Sequence, residues 1–396
     1  MSVRRTYLDW NATAPLRREA RAAVLVAMDE TGNPSSVHGE GRRARAIVED
    51  ARRDVARLVG ARASEVTFTS GGTEANNTIF AGPWKRILLS SVEHESVFAP
   101  ARRSDAEILV LPVDGDGVVV PQAVAKALAA VTEPRATLLS IQMANNETGV
   151  IQPLGEIVAQ AKSAGLVVHS DAVQAAGRMP IDFDKLGLDL MSISGHKLGA
   201  PKGVGALVVR SGFDLPPSLV GGGQEARRRA GTENVAGIAG FGAAARVARE
   251  ELATFAGLGE SRARLEDMLK AIVPGSVIVG AGAERLANTV CFTWPGQSAE
   301  TLLIKMDLGG VSVSSGAACS SGKVGPSHVL AAMGLPDAIS RSALRVSFGI
   351  ATDEDAFARF LAVLTAIANR TAEQSAATMN MPGGPASRLQ MMMGEA

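Results

Sequence analysis

The sequence predicts an α/β protein in which residues 16–250 build a large unit on a mainly parallel sheet between helices. Residues 1–15 and 251–371 are expected to form a smaller α+β unit, and 372–396 a flexible tail. Three observations carry this expectation. From about residue 17 to 250, stretches with helical apolar spacing alternate with short β-rich runs, the pattern of strand–helix units closing on a parallel sheet. Glycine and proline stand where such helices should stop and start. After residue 250 the texture changes to longer amphipathic stretches separated by two short strand-like runs.

The elements follow in order. A helix over 40–59 is ended by Gly60, and 66–69 and 86–89 are β-rich runs. Pro121 suits the first position of a helix continuing through 123–131, since its missing N–H would be unpaired there anyway. The run at 137–143 precedes a helix over 154–164, which Gly165 ends, and further β runs occupy 166–170, 190–194 and 204–209. In the second unit, helices over 261–271 and 352–370 accompany strands at 289–293 and 311–314. From 371 onward Gly, Pro, Ser and the run Met391-Met392-Met393 show no helical period, and the chain has no fixed-period repeat.

Composition excludes several classes. Lys plus Arg and Asp plus Glu both number 40, so net charge gives no support to a nucleic-acid or anionic-membrane partner. The clusters Arg42-Arg43, Arg52-Arg53 and Arg227-Arg228-Arg229 lack interleaved aromatics and read as solvated faces or the lining of a substrate mouth. Cys291 and Cys319 make no disulfide framework and no C-x-x-C spacing, and the five histidines form no i, i+4 pair, so no metal site is expected. The first ten residues contain no apolar leader core, and the charge-free stretch 235–245 is far short of the ~20 residues that span a bilayer. A reducing, cytoplasmic setting is the expectation.

Ligands of open parallel sheets sit at the carboxyl ends of the strands. Here those ends read Ser70-Gly71-Gly72-Thr73-Glu74-Ala75-Asn76-Asn77, Ser91-Val92-Glu93-His94, Ala144-Asn145-Asn146-Glu147-Thr148-Gly149, Asp171-Ala172-Val173-Gln174 and Ser194-Gly195-His196-Lys197. Each piece has two readings. Gly71-Gly72-Thr73 before a helix is either a plain strand-to-helix link or a cup for a phosphate. It matches neither dinucleotide nor nucleoside-triphosphate spacing. Asp171 is a helix cap or the partner of a cation, His94 a capped loop histidine or a functional ring, and Asn146 a turn former or a ligand group. Lys197, in a chain with few lysines, is a candidate Schiff-base amine. Cys319, in the Gly/Ser-rich run 314–322, is either inert or reactive. Pyridoxal phosphate accounts for them together. It needs a lysine, a carboxylate that keeps the ring nitrogen protonated, a phosphate cup and an imidazole or aromatic face.

These residues resemble the class V aminotransferase group of fold-type I pyridoxal-phosphate enzymes and, within it, the group I cysteine desulfurases, which supply sulfur for iron–sulfur clusters. The resemblance spans about 6–370 in order. It runs through Tyr7-Leu8-Asp9-Trp10-Asn11-Ala12-Thr13, Gly32-Asn33-Pro34-Ser35-Ser36, the five strand ends, Arg229-Ala230-Gly231-Thr232-Glu233-Asn234, the Cys319 loop with Pro326-Ser327, and Leu344-Arg345-Val346-Ser347. It implies that Lys197 bears the cofactor and shuttles the substrate Cα proton, that Asp171 pairs with the ring nitrogen, and that Gln174 bonds the ring hydroxyl. By the same similarity His94 stacks on the ring and joins in proton transfer, and Asn146 helps to hold cofactor and substrate. Gly72, Thr73, Ser194, His196 and a second subunit's Thr232 would hold the phosphate. Arg345 and Asn11 would take the substrate carboxylate, and Cys319 would accept sulfur from L-cysteine as a persulfide, releasing L-alanine. The implied assembly is a homodimer that hands sulfur to an acceptor or iron–sulfur scaffold protein. The tail after Thr371 departs from the C-terminus that housekeeping members use for docking. Two rivals stand beside this reading: a related aminotransferase or kynureninase-like lyase, which would not require Cys319, and a non-catalytic scaffold that kept the fold.

Overall fold

The computed structural model describes residues 5–315 and 327–379, so Cys319 lies outside the described residues. In chain order the strands are β1 (Thr6–Tyr7), β2 (Val66–Thr69), β3 (Arg86–Ser90), β4 (Glu107–Leu111), β5 (Thr137–Ser140), β6 (Val167–Asp171), β7 (Leu190–Ser194), β8 (Gly205–Val209), β9 (Thr289–Thr293), β10 (Val311–Ser312), β11 (Ser314–Ser315) and β12 (Ala343–Ser347). Helices α1 (Arg18–Met28), α2 (Gly39–Val59), α3 (Gly72–Phe80), α4 (Glu95–Arg103), α5 (Pro121–Ala129), α6 (Leu154–Ser163), α7 (Phe183–Leu186) and α8 (Val235–Glu250) belong to the first part of the chain. Helices α9 (Leu252–Ile272), α10 (Ala299–Leu308), α11 (His328–Ala332), α12 (Asp337–Ser340) and α13 (Glu354–Met379) belong to the second.

Seven strands form one sheet in the order β2-β8-β7-β6-β5-β3-β4. All its neighbours are parallel except those of β8, which runs against both β2 and β7. Every residue of β6, β7 and β8 is buried, as expected for strands covered on both faces. Two five-residue strands lie outside the β-rich runs expected from the sequence. β4 is an edge strand with Leu109 and Val110 exposed, and β12 has an arginine at its centre.

Helix ends follow local chemistry. The His38 ring caps α2 by accepting the Gly41 N–H, and Gly60 closes it at φ 65°, a left-handed position glycine adopts without strain. The charge-free stretch 235–245 lies in α8, packed on α1 and α2. A Cβ on Gly242 would stand 2.5 Å from Ala51 Cα, so close packing here depends on a missing side chain.

A second apolar cluster joins Leu8 to Leu265, Leu269, Phe292, Val346, Phe348, Phe360 and Leu364. It packs α9, α10 and α13 against the antiparallel trio β11-β12-β9 and the parallel pair β1-β10. Helix α13 continues to Met379, so residues 372–379 are helical rather than part of an irregular tail. Residues 380–396 lie outside the described residues. The carboxyl ends of the large sheet thus face Arg345 on β12, and the space between is the candidate site.

Candidate active site

A cavity of about 500 Å³ opens at these strand ends, within the size range of small-ligand and cofactor sites. Asn11, Gly72, Thr73, His94, Asn146, Asp171, Gln174, Ser194, His196, Lys197 and Arg345 all line it, so the fold gathers residues that the sequence scatters over more than 300 positions. Thr232 does not line it and is exposed on its own chain.

Lys197 reaches the cavity because β7 ends in a tight turn over Gly195–Lys197. Its Nζ donates to the carbonyls of Asn11 at 2.5 Å and Ala12 at 3.0 Å. Lys202 also lines the cavity but is exposed. At the end of β6, Asp171 is buried with both carboxylate oxygens engaged. Oδ1 accepts the Val173 N–H at 2.9 Å and Oδ2 accepts Asn76 Nδ2 at 2.9 Å. Asn76 also donates to Ser96 Oγ at 2.9 Å, and Ser96 in turn meets His94 Nδ1 through its hydroxyl at 2.8 Å and its N–H at 3.0 Å. Since a backbone N–H only donates, Nδ1 of His94 is the accepting nitrogen and the neutral ring carries its proton on Nε2. Burial lowers the His94 pKa against the pull of Asp171, which favours that neutral form. His94 is therefore both the N-cap of α4 and a wall of the cavity.

The N-terminus of α3 forms another wall. Gly71 gives no side-chain cap, so the first amides of the helix are left for a ligand. A Cβ on Gly72 would come within 2.7 Å of Val173 Cγ2, whereas nothing lies within 4 Å of a Cβ built on Gly71. Ser194 and His196 complete this side, and His196 Nδ1 lies 3.0 Å from Thr13 Oγ1. Burial, with Lys197, Lys202 and Arg178 nearby, pushes His196 down to about 4. Glu74 is neutralised by Arg229 at 3.0 Å and accepts the Ser70 N–H. Burial pushes its carboxyl up, but these bonds prevail and hold it below the usual range.

Across the cavity, Arg345 is buried on β12. Its Nη1 donates to the Asn146 carbonyl at 2.9 Å and its Nη2 to Asp9 at 2.6 Å, while the buried Nε has no partner among the described residues. Asn11 is committed elsewhere. Its Nδ2 donates to the Asn146 carbonyl and to Thr289, and its Oδ1 accepts from Arg178. That side chain braces the site, so of the pair it is Arg345 that keeps a buried N–H without a partner among the described residues.

The set fits pyridoxal phosphate on its own chemistry: an amine, a held carboxylate, a helix start shaped by a missing Cβ, and an orphaned guanidinium N–H opposite. Among the described residues no His, Cys, Asp or Glu group is arranged to hold a metal ion. The sequence reading assigned no role to Asn76, Ser96 or Arg178. Spacing offers a signal for two of them, since Asn76 lies one helical turn from Gly72 and Arg178 four residues after Gln174. Two buried acids also went unassigned. Burial raises Glu93 well above its ordinary value and Glu147 to about 7.

The class-V aminotransferase family profile matches residues 6–360. Cysteine desulfurase IscS of Dictyoglomus turgidum is 41% identical over 364 residues, covering 89% of this chain and 91% of its own. A cysteine desulfurase of Cereibacter sphaeroides is 42% identical over 383 residues, covering 93% and 97%. Among solved structures, the NifS-like protein from Rickettsia africae superposes with a TM-score of 0.86 at 36% identity, covering 92% of this chain and 99% of that one. A structure of SspA in complex with cysteine gives 0.75 at 28%, covering 87% and 99%.

Proposed function

This chain belongs to the class-V aminotransferase family, and from that premise we propose that it is a pyridoxal-phosphate-dependent cysteine desulfurase, converting L-cysteine to L-alanine with the sulfur held as a persulfide on Cys319. The observation that carries this reading is the meeting of Lys197, Asp171, the first turn of α3 and Arg345 in one cavity.

Bound there, pyridoxal phosphate supplies an electron sink that lets a proton leave the substrate Cα and weakens the bond from Cβ to sulfur. Lys197 would hold the cofactor through its amine, and its Nζ would be the base for that proton. Asp171, fixed by Asn76 and the Val173 N–H, keeps the ring nitrogen protonated. Gly72, Thr73, Ser194 and His196 would hold the phosphate, and Gln174 would donate to the ring oxygen. His94, with its proton on Nε2, would stand against the ring and take part in proton transfer. Asn146 helps to hold cofactor and substrate, and Arg345 takes the substrate carboxylate, with Asn11 bracing both. Cys319 attacks the substrate sulfur as thiolate, forming a sulfur–sulfur bond as the Cβ–S bond breaks, and Cβ is protonated to leave alanine.

The assembly we propose is a homodimer in the cytoplasm, in which Thr232 reaches the phosphate in the second subunit's cavity. Its support is the position of Thr232, exposed and outside its own chain's cavity, together with the exposed apolar side chains Val26, Met28, Val37 and Val220. Among the described residues no helix is long and apolar enough to cross a membrane. The sulfur passes to an acceptor or iron–sulfur scaffold protein. The test is labelled L-cysteine with purified holoenzyme, reading alanine, sulfide and protein-bound sulfur. Cys319→Ser should bind cofactor and cysteine yet release neither product, while Cys291→Ser keeps activity because burial holds that thiol protonated, its pKa pushed up to about 12. The opposite pattern, or turnover without a persulfide, would overturn the assignment.

A further inference from the structure

Arg178 lies behind the cavity and does not line it. It is buried, and among the described residues no carboxylate pairs with it. Its guanidinium is spent on neutral oxygens. Nη1 donates to Asn11 Oδ1 and to Gln174 Oε1, each at 2.6 Å, and Nη2 donates to the carbonyls of Lys197 at 3.2 Å and Trp10 at 3.3 Å. Three of these four residues, Asn11, Gln174 and Lys197, line the cavity. Burial, with the charge of Arg345 nearby, pulls Arg178 down to about 9, which still leaves it charged at neutral pH. A buried cation without a counter-charge is costly, and neutral acceptors compensate it only in part.

We propose that Arg178 is a positioning residue that locks the Gln174 amide with its donor side toward the cavity. A primary amide has an oxygen edge and an NH2 edge, and either can point inward. A guanidinium has donors only, so Arg178 demands the oxygen edge. That turns Nε2 to the other side, where one N–H goes to the Asn11 carbonyl at 3.1 Å. The second N–H has no partner among the described residues and remains for the cavity. A donor there selects an anionic oxygen, and this inference rests on the reading that the oxygen belongs to pyridoxal phosphate. The same guanidinium ties Asn11, whose carbonyl accepts from Lys197 Nζ, to the turn that carries the lysine.

The experiment is a double-mutant cycle on pyridoxal phosphate affinity, measured by titrating the cofactor into protein stripped of it, with the absorption maximum of the bound cofactor as second readout. Arg178→Met and Gln174→Ala should each weaken binding roughly tenfold or more, the loss of a hydrogen bond to a charged partner. The double variant should bind no more weakly than the worse single one, and both singles should shift the absorption maximum the same way. Additive losses, unchanged affinity in Arg178→Met, or a spectral shift in Gln174→Ala alone would overturn the proposal. Gln174→Glu guards against a merely unstable Arg178→Met: its carboxylate still accepts from Arg178 and supplies the missing counter-charge, which offsets the lost N–H to the Asn11 carbonyl, so the unfolding temperature should stay near the wild-type value while cofactor affinity falls. Wild-type affinity in Gln174→Glu would refute the donor role. Failure of the wild-type protein to bind pyridoxal phosphate, or borohydride trapping it away from Lys197, would instead overturn the cofactor reading itself.

Discussion

Glu147→Gln should stabilise the protein at alkaline pH and leave it unchanged at acid pH. Glu147 sits in the turn after β5, where its Oε2 accepts from Ser327 Oγ at 2.5 Å, and Ser327 caps α11 by accepting the Leu330 N–H. Ser327 is also the first described residue after the stretch that holds Cys319. Burial raises the Glu147 carboxyl from 4.5 to about 7, against the opposing pull of Ser327 and Arg345. The folded protein therefore holds this proton more tightly than the unfolded chain does. The stability it contributes is complete below 4.5 and is lost as pH rises through about 7. A tenfold change in proton affinity is worth about 1.4 kcal/mol, so the loss across this window is about 3 kcal/mol. Glutamine stays neutral and can still accept from Ser327. Urea unfolding of holoenzyme and variant, followed from pH 4.5 to 8, should give curves that coincide at the acid end and part by about 3 kcal/mol at the alkaline end, with the variant the more stable. Parallel pH profiles would refute the reasoning, because they would mean that Glu147 is already charged in the fold.

Borohydride reduction and peptide mapping should place the cofactor on Lys197, whose Nζ is held inside the site, and an adduct on Lys202 would reverse that choice. Asp171→Ala should lower turnover at least roughly tenfold, because a charge-assisted bond to the ring nitrogen is lost; near-normal rates would contradict the role. Mixing Lys197→Ala chains with chains disabled at Thr232 should restore desulfuration above either parent, since one site of each heterodimer would carry neither defect. Proven subunit exchange without recovery would place Thr232 in its own chain's site.

Much of the site was legible because strand ends and turns are local events. The apolar run of β7 followed by Gly195-His196-Lys197 announces a strand that stops and presents an amine, and Gly71-Gly72-Thr73 announces a helix start without a capping side chain. Alternation of such pieces is enough to imply a parallel sheet with its ligands at one edge. The reach of α13 to Met379 was not legible in the same way, because the glycines and prolines that suggested an irregular tail come later, beyond residue 379.

Tertiary structure decided how each polar group is satisfied. Asn11, a plausible substrate ligand by position, spends its side chain on Asn146, Thr289 and Arg178. Arg345 spends its Nη atoms on Asp9 and the Asn146 carbonyl, far away in sequence, while its Nε has no partner among the described residues. Asp171 is held by Asn76, and Gln174 is turned by Arg178, which never enters the cavity. The same holds for protonation. Nothing near Glu147 in the sequence marks a carboxyl that titrates near neutrality, because that value comes from the water excluded around it. Sequence fixes which groups stand at a strand end through short-range backbone chemistry, whereas burial and through-space hydrogen bonds, which exist only once the chain has folded, determine which of them remain available for chemistry.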